Sequence, residues 1–189
     1  MKKQQAREIY LKKRKELSDA DYEMLNRRLL HQFQQVDFSK VKYLHTFIPI
    51  RNRREPDTTL ISDWLRTTHP QIKLVYPQTN FADLSMQSFV DDADLQMAIN
   101  DFGISEPVAG NQISADQIDR MLVPLLAFDK QGYRAGYGKG FYDRYMTQCK
   151  PACKFIGLSL FEPVDELEDV DQYDIKLHTC VTPDKIHQF

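Results

Sequence analysis

The feature that most constrains the fold of this chain is a change of pattern within residues 121–146. Residues 121–128 are almost wholly apolar, which is typical of a strand buried on both faces of a parallel sheet. Pro124 within this run indicates a bulge or a strand end. Four of the chain's seven glycines follow, at positions 132, 136, 138 and 140. Helical character returns after Gly140, so the pattern predicts a buried strand, a glycine-rich loop and a helix in succession.

The glycine-rich loop predicts a phosphate site. Closely spaced glycines allow backbone N–H groups to turn toward one anion, and the helix that follows begins beside them. Arg134 and Lys139 add positive charge, and Asp143 is placed for a metal that bridges phosphates. The loop is neither a P-loop, because glycine follows Lys139, nor a dinucleotide fingerprint, because Phe141 replaces its third glycine. A glycine-rich surface turn with chance charges is the alternative.

The same loop resembles the signature of a known family. The residues that carry the resemblance are Pro124, Ala127, Phe128, Asp129, Gly132, Arg134, Gly136, Gly138, Lys139, Gly140, Phe141, Tyr142, Asp143 and Arg144. They are similar to the signature loop of the 5-formyltetrahydrofolate cyclo-ligase family, also called 5,10-methenyltetrahydrofolate synthetase. The resemblance covers nearly the whole chain and implies a Rossmann-like cyclo-ligase fold. It also implies conversion of 5-formyltetrahydrofolate to 5,10-methenyltetrahydrofolate, with hydrolysis of ATP to ADP and phosphate.

The resemblance assigns an ATP site to the loop and to the start of the chain. Lys3 and Arg7 are four residues apart on a predicted helix over residues 3–17, so they are neighbours on one side of it. Taken alone, such a pair is more typical of a solvated face. In the family, a Lys and an Arg at this spacing contact the nucleotide phosphates. The residues assigned to ATP are Lys3, Arg7, Arg134, Gly136, Gly138, Lys139, Gly140 and Tyr142.

Two aspartates match the family's magnesium ligands. Asp143 follows the glycine loop, and Asp174 lies in an acidic stretch over residues 162–174. Mg²⁺ prefers carboxylate, phosphate and water oxygens, so the two side chains suit a metal bound together with ATP. An exposed aspartate in an acid-rich segment is the alternative for Asp174.

The resemblance also implies a folate site. Glu55, Asp57 and Thr58 resemble the family's E-x-D-T segment, whose acid holds the pterin ring, and a carboxylate can accept paired N–H bonds from an aminopyrimidine edge. Glu55 and Asp57 both remain candidates for the main contact. The residues assigned to the substrate are Ile50, Glu55, Asp57, Tyr137 and Phe141. Glu106 is a candidate second carboxylate or a turn residue, and Arg51, Arg53 and Arg54 are candidates for contact with a glutamate tail.

The whole chain fits one α/β domain over residues 1–189. We expect three layers and a mostly parallel sheet, with helices over residues 3–17, after Ser18 and over 58–68. The predicted strands cover residues 41–50, 72–76, 84–90, 121–128, 154–160 and 177–181. His45 is expected to be a packed or half-exposed strand residue rather than a ligand, and the stretch 91–102 follows the third of these strands.

Composition limits where the protein acts. No run of about 18 apolar residues is present, and the first residues are too charged for a signal peptide, so we expect a cytoplasmic protein without membrane contact. A formal net charge of −2 argues against general nucleic-acid binding. The three cysteines are an odd count without zinc-type spacing, which favours incidental reduced thiols. We expect a monomer that acts on small molecules.

The expected reaction depends on phosphoryl transfer. A formamide oxygen is a poor leaving group, so the γ-phosphoryl is placed on the formyl oxygen before N10 of the folate attacks and phosphate departs. Such a transfer needs positioning and charge neutralisation more than an acid or a base. Two other classes remain open: a small-molecule kinase or sugar-phosphate enzyme that shares the phosphate loop, and a non-catalytic nucleotide or RNA binder.

Overall fold

The computed structural model describes residues 1–100 and 103–189, and a seven-stranded sheet forms its centre. The α-helices are α1 (Lys3–Glu16), α2 (Asp19–Phe33), α3 (Thr58–Thr68) and α4 (Phe141–Met146), and 3-10 helices span Arg51–Arg53 and Ala115–Gln117. The strands are β1 (Tyr43–His45), β2 (Lys73–Asn80), β3 (Ser85–Val90), β4 (Gln96–Ile99), β5 (Ser105–Ala109), β6 (Arg120–Pro124), β7 (Ala127–Phe128), β8 (Arg134–Ala135), β9 (Lys154–Leu158), β10 (Thr179–Val181) and β11 (Ile186–Gln188).

The sheet is mostly parallel, as predicted. Its strand order is β11-β10-β9-β6-β1-β2-β3. The four central pairings are parallel, and only the outer pairings β10 with β11 and β2 with β3 are antiparallel. Two small hairpins, β4 with β5 and β7 with β8, stand outside this sheet. Parallel strands all point the same way, so the loops that leave β1 and β6 emerge at one edge.

Helices cover both faces of the sheet, which confirms the predicted three-layer architecture. On one face, Leu29 of α2 and Ile61 of α3 belong to a core that includes Leu44 and Leu122 from the strands. On the other face, Tyr145 and Met146 of α4 pack in a core with Met121 and Val123. Strand β6 is therefore buried on both sides, as its apolar sequence predicts.

The three long helices form where the sequence predicts them, because local signals specify them. Ser18 caps α2, and its side chain accepts a hydrogen bond from the backbone N–H of Asp21 at 3.1 Å. Asp57 caps α3 and accepts from the N–H of Thr59 at 3.1 Å. The predicted strand end at Pro124 is also present, since β6 stops there and the chain turns into β7.

Three strands differ from their predicted limits. The strand predicted over residues 121–128 is divided after Pro124 into β6 and β7, which belong to different sheets. The strand expected over residues 41–50 ends at His45. The N–H of Thr46 still donates to the carbonyl of Val75 in β2, but the backbone beyond it bonds to side chains: Thr58 donates to the carbonyl of Phe47, and Glu55 accepts from the N–H of Ile50. Strand β2 continues past Pro77, where an end was expected. Beyond Val75 it pairs only with β3, so the missing N–H of Pro77 faces a side without a strand.

Other predicted elements are confirmed with small changes at their ends. Strands β3, β9 and β10 lie within the predicted ranges 84–90, 154–160 and 177–181, whereas β11 was not predicted. The stretch 91–102 contains β4, and its last two residues lie outside the described part of the chain. The cysteines at positions 149, 153 and 180 are free thiols. Among the described residues, none of the helices is long and apolar enough to cross a bilayer.

His45 is packed inside the core, as predicted. It is 0% exposed, and its ring lies 5.5 Å from the ring of Tyr145 and 6.1 Å from that of Tyr142. Neither ring nitrogen has a hydrogen-bond partner among the described residues. Burial lowers the pKa of His45 from 6.5 to about 3, because the protonated ring would lose its hydration.

We expect His45 to make the stability of the protein depend on pH. Its folded-state pKa lies below the unfolded value, so its contribution is fully present above pH 6.5 and is lost as pH falls toward 3. The loss is about 1.4 kcal/mol per pH unit once the unfolded chain is protonated. His45→Phe, which cannot titrate, should flatten the decline in the free energy of unfolding between pH 6.5 and 5, measured by urea denaturation. The exposed His31→Gln is the control, and equal slopes for wild type and His45→Phe would contradict the prediction.

Candidate active site

A cleft of about 1080 Å³ opens at the carboxyl ends of β1, β2 and β6. In open α/β sheets, ligands bind at this edge, where the loops from adjacent strands diverge. All the predicted site residues except Asp57 line the cleft: Lys3, Arg7, Ile50, Glu55, Arg134, Gly136, Tyr137, Gly138, Lys139, Gly140, Phe141, Tyr142, Asp143 and Asp174. The structure therefore brings together residues that come from four separate parts of the sequence.

One end of the cleft is rich in cations. Lys3 and Arg134 are both buried, at 8% and 7% exposure, and each is paired with an aspartate. Arg7 donates from Nε to the carbonyl of Gly136 at 2.8 Å, so α1 holds the start of the glycine loop. Lys139 is exposed and makes no ion pair within residues 1–100 and 103–189. This end has the charge that a polyphosphate requires.

The glycine loop needs glycine at two of its positions for backbone reasons. Gly138 has φ +86° and Gly140 has φ +69°, a region that residues with a Cβ rarely adopt. A Cβ on Gly138 would also lie 3.4 Å from the guanidinium carbon of Arg7. The loop can therefore place its backbone close to a ligand and to α1 at the same time.

The two predicted metal ligands are part of the same cationic end. Asp143 Oδ1 accepts hydrogen bonds from Arg134 at 2.7 Å and from the N–H of Ile175 at 3.2 Å. Asp174 Oδ2 accepts from Lys3 and from the N–H of Asp171. Burial lowers the pKa of Arg134, while Asp143 and Asp174 oppose that shift, so both carboxylates are close to this guanidinium.

The donor set suits magnesium that is bound together with phosphates. Each aspartate leaves its other carboxylate oxygen without a hydrogen bond from the described residues. No group of three or more His, Cys, Asp or Glu side chains within this described part could enclose a metal. Mg²⁺ is commonly bound through one or two carboxylates and substrate phosphates, so the two aspartates fit it.

The opposite end of the cleft is built around Glu55. This carboxylate is 2% exposed, and its Oε1 accepts from the hydroxyl of Tyr137 at 2.6 Å while Oε2 accepts from the N–H of Ile50 at 2.7 Å. The hydroxyl of Tyr22 donates to the carbonyl of Glu55 at 2.5 Å, which holds the backbone of Glu55 in place. Each carboxylate oxygen can accept more than one bond, so Glu55 can still receive donors from a ligand.

The structure does not bring Asp57 into the cleft. Its carboxylate accepts from the N–H and the hydroxyl of Thr59 and caps α3, and Asn26 accepts from the N–H of Asp57 at 2.7 Å. A helix cap must face its own helix, so this side chain turns away from the ligand space. Of the two acids left open by the sequence, only Glu55 lines the cleft.

Glu106 lines the cleft on the side of the β4–β5 hairpin. It is 9% exposed, and its carboxylate accepts from the hydroxyl of Thr79 at 2.5 Å and from Asn100 at 2.9 Å. Phe141 contributes an aromatic wall through its contact with Phe81, whose ring centroid is 5.1 Å away. Glu106 is thus a residue of the cleft wall rather than of a turn.

Tyr142 lies between the two ends. Burial raises the pKa of its hydroxyl, and the nearby carboxylates of Glu55 and Glu106 raise it further, whereas Arg134 lowers it. The hydroxyl is therefore protonated at neutral pH and is a donor close to both halves of the cleft.

The rim carries the arginine cluster. Arg53 lies over the ring of Tyr137, 4.9 Å from its centroid, and lines the cleft, while Arg51 is exposed. Arg54 is directed elsewhere, because it pairs with Asp19 at 2.7 Å. Of the three arginines, Arg53 therefore lines the cleft, and Arg51 is exposed two residues before it.

The sequence reasoning did not single out Arg14. It is 1% exposed on α1, below the cleft, and its Nη1 donates to the hydroxyl oxygen of Tyr137 at 3.3 Å. A signal was present: Arg14 lies four residues after Tyr10 and seven after Arg7, so all three share one side of the helix. The lysines around Arg14 are typical of a solvent-exposed segment, so the spacing of these three residues was not recognised as a buried side of the helix.

Comparison with known proteins identifies the family of the chain. The model of the 5-formyltetrahydrofolate cyclo-ligase family matches residues 1–183. The 5-formyltetrahydrofolate cyclo-ligase of Mycoplasma genitalium is 25% identical over 94% of this chain and 97% of its own length, and that of Mycoplasma pneumoniae is 27% identical over 96% and 98%.

Solved structures show the same fold. The 5,10-methenyltetrahydrofolate synthetase from Mycoplasma pneumoniae superposes with a TM-score of 0.77 at 26% identity, covering 97% of this chain and 99% of that one. The enzyme from Aquifex aeolicus superposes with a TM-score of 0.81 at 28% identity, covering 100% and 93%. Family model, relatives and fold all agree over nearly the full length, and the chain therefore belongs to the 5-formyltetrahydrofolate cyclo-ligase family.

Proposed function

We propose that this protein converts 5-formyltetrahydrofolate to 5,10-methenyltetrahydrofolate and hydrolyses ATP to ADP and phosphate. The observation that carries the proposal is a cleft with a cationic glycine loop at one end and the buried acid Glu55 at the other, in a chain of the cyclo-ligase family. The two ends have the chemistry that a polyphosphate and a pterin respectively require.

The reaction has two bond-forming steps. The formyl oxygen attacks the γ-phosphorus and ADP leaves, which turns a poor leaving group into a phosphate ester. N10 then attacks the formyl carbon, the N10–C bond forms, the C–O bond breaks, and the proton of N10 is transferred to the departing phosphate. The protein contributes chiefly by positioning the partners and by neutralising charge.

We assign ATP to the cationic end. Lys3, Arg7, Arg134 and Lys139 would neutralise the phosphates, and the backbone N–H groups at Gly136, Gly138 and Gly140 would bind them. The assignment is supported by the position of these groups around one end of the cleft. Tyr142, at the boundary, would donate to the γ-phosphate or to the formyl oxygen.

We assign magnesium to Asp143 and Asp174 together with ATP. Bound there, Mg²⁺ would neutralise phosphate charge and help to align the γ-phosphoryl. Lys3 and Arg134 hold the two carboxylates in position, so the ligands are oriented before the metal and the nucleotide arrive.

We assign the pterin ring to Glu55, with Ile50, Tyr137 and Phe141 as walls of the same pocket. A buried carboxylate that keeps free lone pairs is suited to accept the N–H groups of an aminopyrimidine. Glu106 is a second acceptor on the opposite wall.

We further propose that residues 1–189 form one domain that acts as a cytoplasmic monomer. Both ends of the chain support the single domain: α1 contributes Lys3 and Arg7 to the cleft, and β11 completes the edge of the central sheet.

Purified protein with MgATP and 5-formyltetrahydrofolate should release ADP and methenyl product in equal amounts, followed by near-ultraviolet absorbance and by an ADP assay. Asp143→Asn should lower kcat by about 100-fold or more, because the Mg²⁺ that would neutralise transition-state charge loses a carboxylate ligand. The exposed Asp165→Asn is the matched control. ADP without methenyl product would favour a kinase with another acceptor, and absence of both products would favour the binding-module alternative.

Gly138→Ala should raise KM for ATP by about tenfold, since an alanine at φ +86° costs on the order of 1–3 kcal/mol and the loop backbone would shift to relieve it. KM for 5-formyltetrahydrofolate should change little. Gly103→Ala, which also has a positive φ but lies outside the glycine loop, is the matched control. If both variants changed KM for ATP equally, the loop would not be the nucleotide site.

We propose that Arg51 and Arg53 bind the carboxylates of a polyglutamate tail; Arg53 lines the cleft, and Arg51 is exposed two residues before it. The double variant Arg51→Ala/Arg53→Ala should raise the ratio of KM for polyglutamylated to monoglutamylated substrate several-fold, and added salt should reduce the effect. Arg54→Ala, which removes an arginine already paired with Asp19, is the control. An unchanged ratio in the double variant would reject this role.

A further inference from the structure

We propose that Arg14 is a positioning residue for folate binding, which acts through Tyr137 on the carboxylate of Glu55. The inference rests on the proposed function, in which Glu55 accepts N–H bonds from the pterin. Arg14 does not line the cleft and would not touch the substrate. Its effect would be to fix the direction of one hydrogen bond and to stabilise one buried negative charge.

The first argument is the geometry of the Arg14 side chain. Its Nη2 donates to the carbonyl of Leu125, at the point where the chain leaves β6, and its Nη1 donates to the hydroxyl oxygen of Tyr137 at 3.3 Å. Nε has no hydrogen-bond partner among the described residues. The guanidinium is thus directed at the underside of the cleft, between the end of a strand and a residue of the glycine loop.

The second argument is the direction of the hydrogen bonds. Tyr137 has a single hydroxyl proton and donates it to Glu55 Oε1 at 2.6 Å. Because Arg14 can only donate, its contact with the hydroxyl oxygen favours the orientation in which that proton points to Glu55. Burial and the Glu55 carboxylate raise the pKa of Tyr137, while Arg14 opposes the shift, so the tyrosine remains a donor at neutral pH.

The third argument is charge. Arg14 and Glu55 are 1% and 2% exposed, and neither makes an ion pair within the described residues. A buried charge without an opposite charge nearby is costly. Here one hydroxyl group bridges the two, so each side chain reduces the cost of burying the other. When a ligand covers Glu55 and excludes water, this compensation becomes more important.

Arg14 could instead serve only to anchor α1 to the end of β6. Both roles predict lower stability when Arg14 is replaced. Only the positioning role predicts weaker folate binding that depends on Glu55, with ATP binding left nearly unchanged. A comparison of single and double variants separates the two roles.

The test uses wild type, Arg14→Met, Glu55→Gln and the double variant. Calorimetry gives the Kd for 5-formyltetrahydrofolate, steady-state kinetics give KM for ATP, and thermal melting shows that each protein is folded. We expect Arg14→Met to weaken folate binding by about 10-fold or more, with KM for ATP within about twofold of wild type. The double variant should bind folate no more weakly than Glu55→Gln alone. Arg14→Lys, which keeps the charge, should recover part of the lost affinity.

Three results would overturn the inference. Fully additive losses in the double variant, or equal losses for folate and ATP, would make Arg14 an anchor only. If Glu55→Gln bound folate like wild type, the role of Glu55 and the inference would both fail. Failure of the proposed function would appear instead as wild-type protein that makes no methenyl product.

If Arg14→Met does not fold, Tyr137→Phe replaces it in the same comparison of single and double variants, since Tyr137→Phe removes the bridging hydroxyl.

Discussion

The end of main-chain pairing at the carboxyl edges of β1 and β6 is the constraint on which this site depends. Where strands stop, their buried N–H and C=O groups need new partners. The N–H of Ile50 is bound by Glu55, the carbonyl of Phe47 by Thr58 and the carbonyl of Leu125 by Arg14. Side chains that satisfy these groups are fixed at the edge where the cleft opens. The same hydrogen bonds therefore stabilise the ends of the strands and orient the side chains of the site.

The cationic end follows a second physical rule, the sharing of buried charge. Lys3 pairs with Asp174 and Arg134 pairs with Asp143, so each of these four charges has an opposite neighbour. Such pairs add little stability, because desolvation offsets attraction. Their value is orientation, because each pair holds a cation and a carboxylate in fixed positions on the cleft wall.

Much of the fold and most of the site could be predicted from the sequence. Helices α2 and α3 have side-chain caps, α1 to α3 have apolar periodicity, and the glycine loop has unusual residue types close together. The failures arose where distant neighbours decide. Pro77 is tolerated inside β2 only because β1 has already ended, and Asp57 is committed to the cap of α3, although its neighbour Glu55 lines the cleft. No local sequence pattern indicates which strand will be short or which of two acidic side chains will cap the following helix.

Helix α1 shows why the basic start of the chain was difficult to interpret. Its lysines and arginines are too numerous for composition to separate exposed ones from buried ones. Spacing separates them: Arg7 and Arg14 are two turns apart on one face, and they hold successive residues of the glycine loop, the carbonyl of Gly136 and the hydroxyl of Tyr137. In the proposed assignment, Gly136 binds phosphate and Tyr137 lines the folate pocket. One helix thus sets the position of both halves of the loop, so a shift of α1 that disturbs one ligand must also disturb the other.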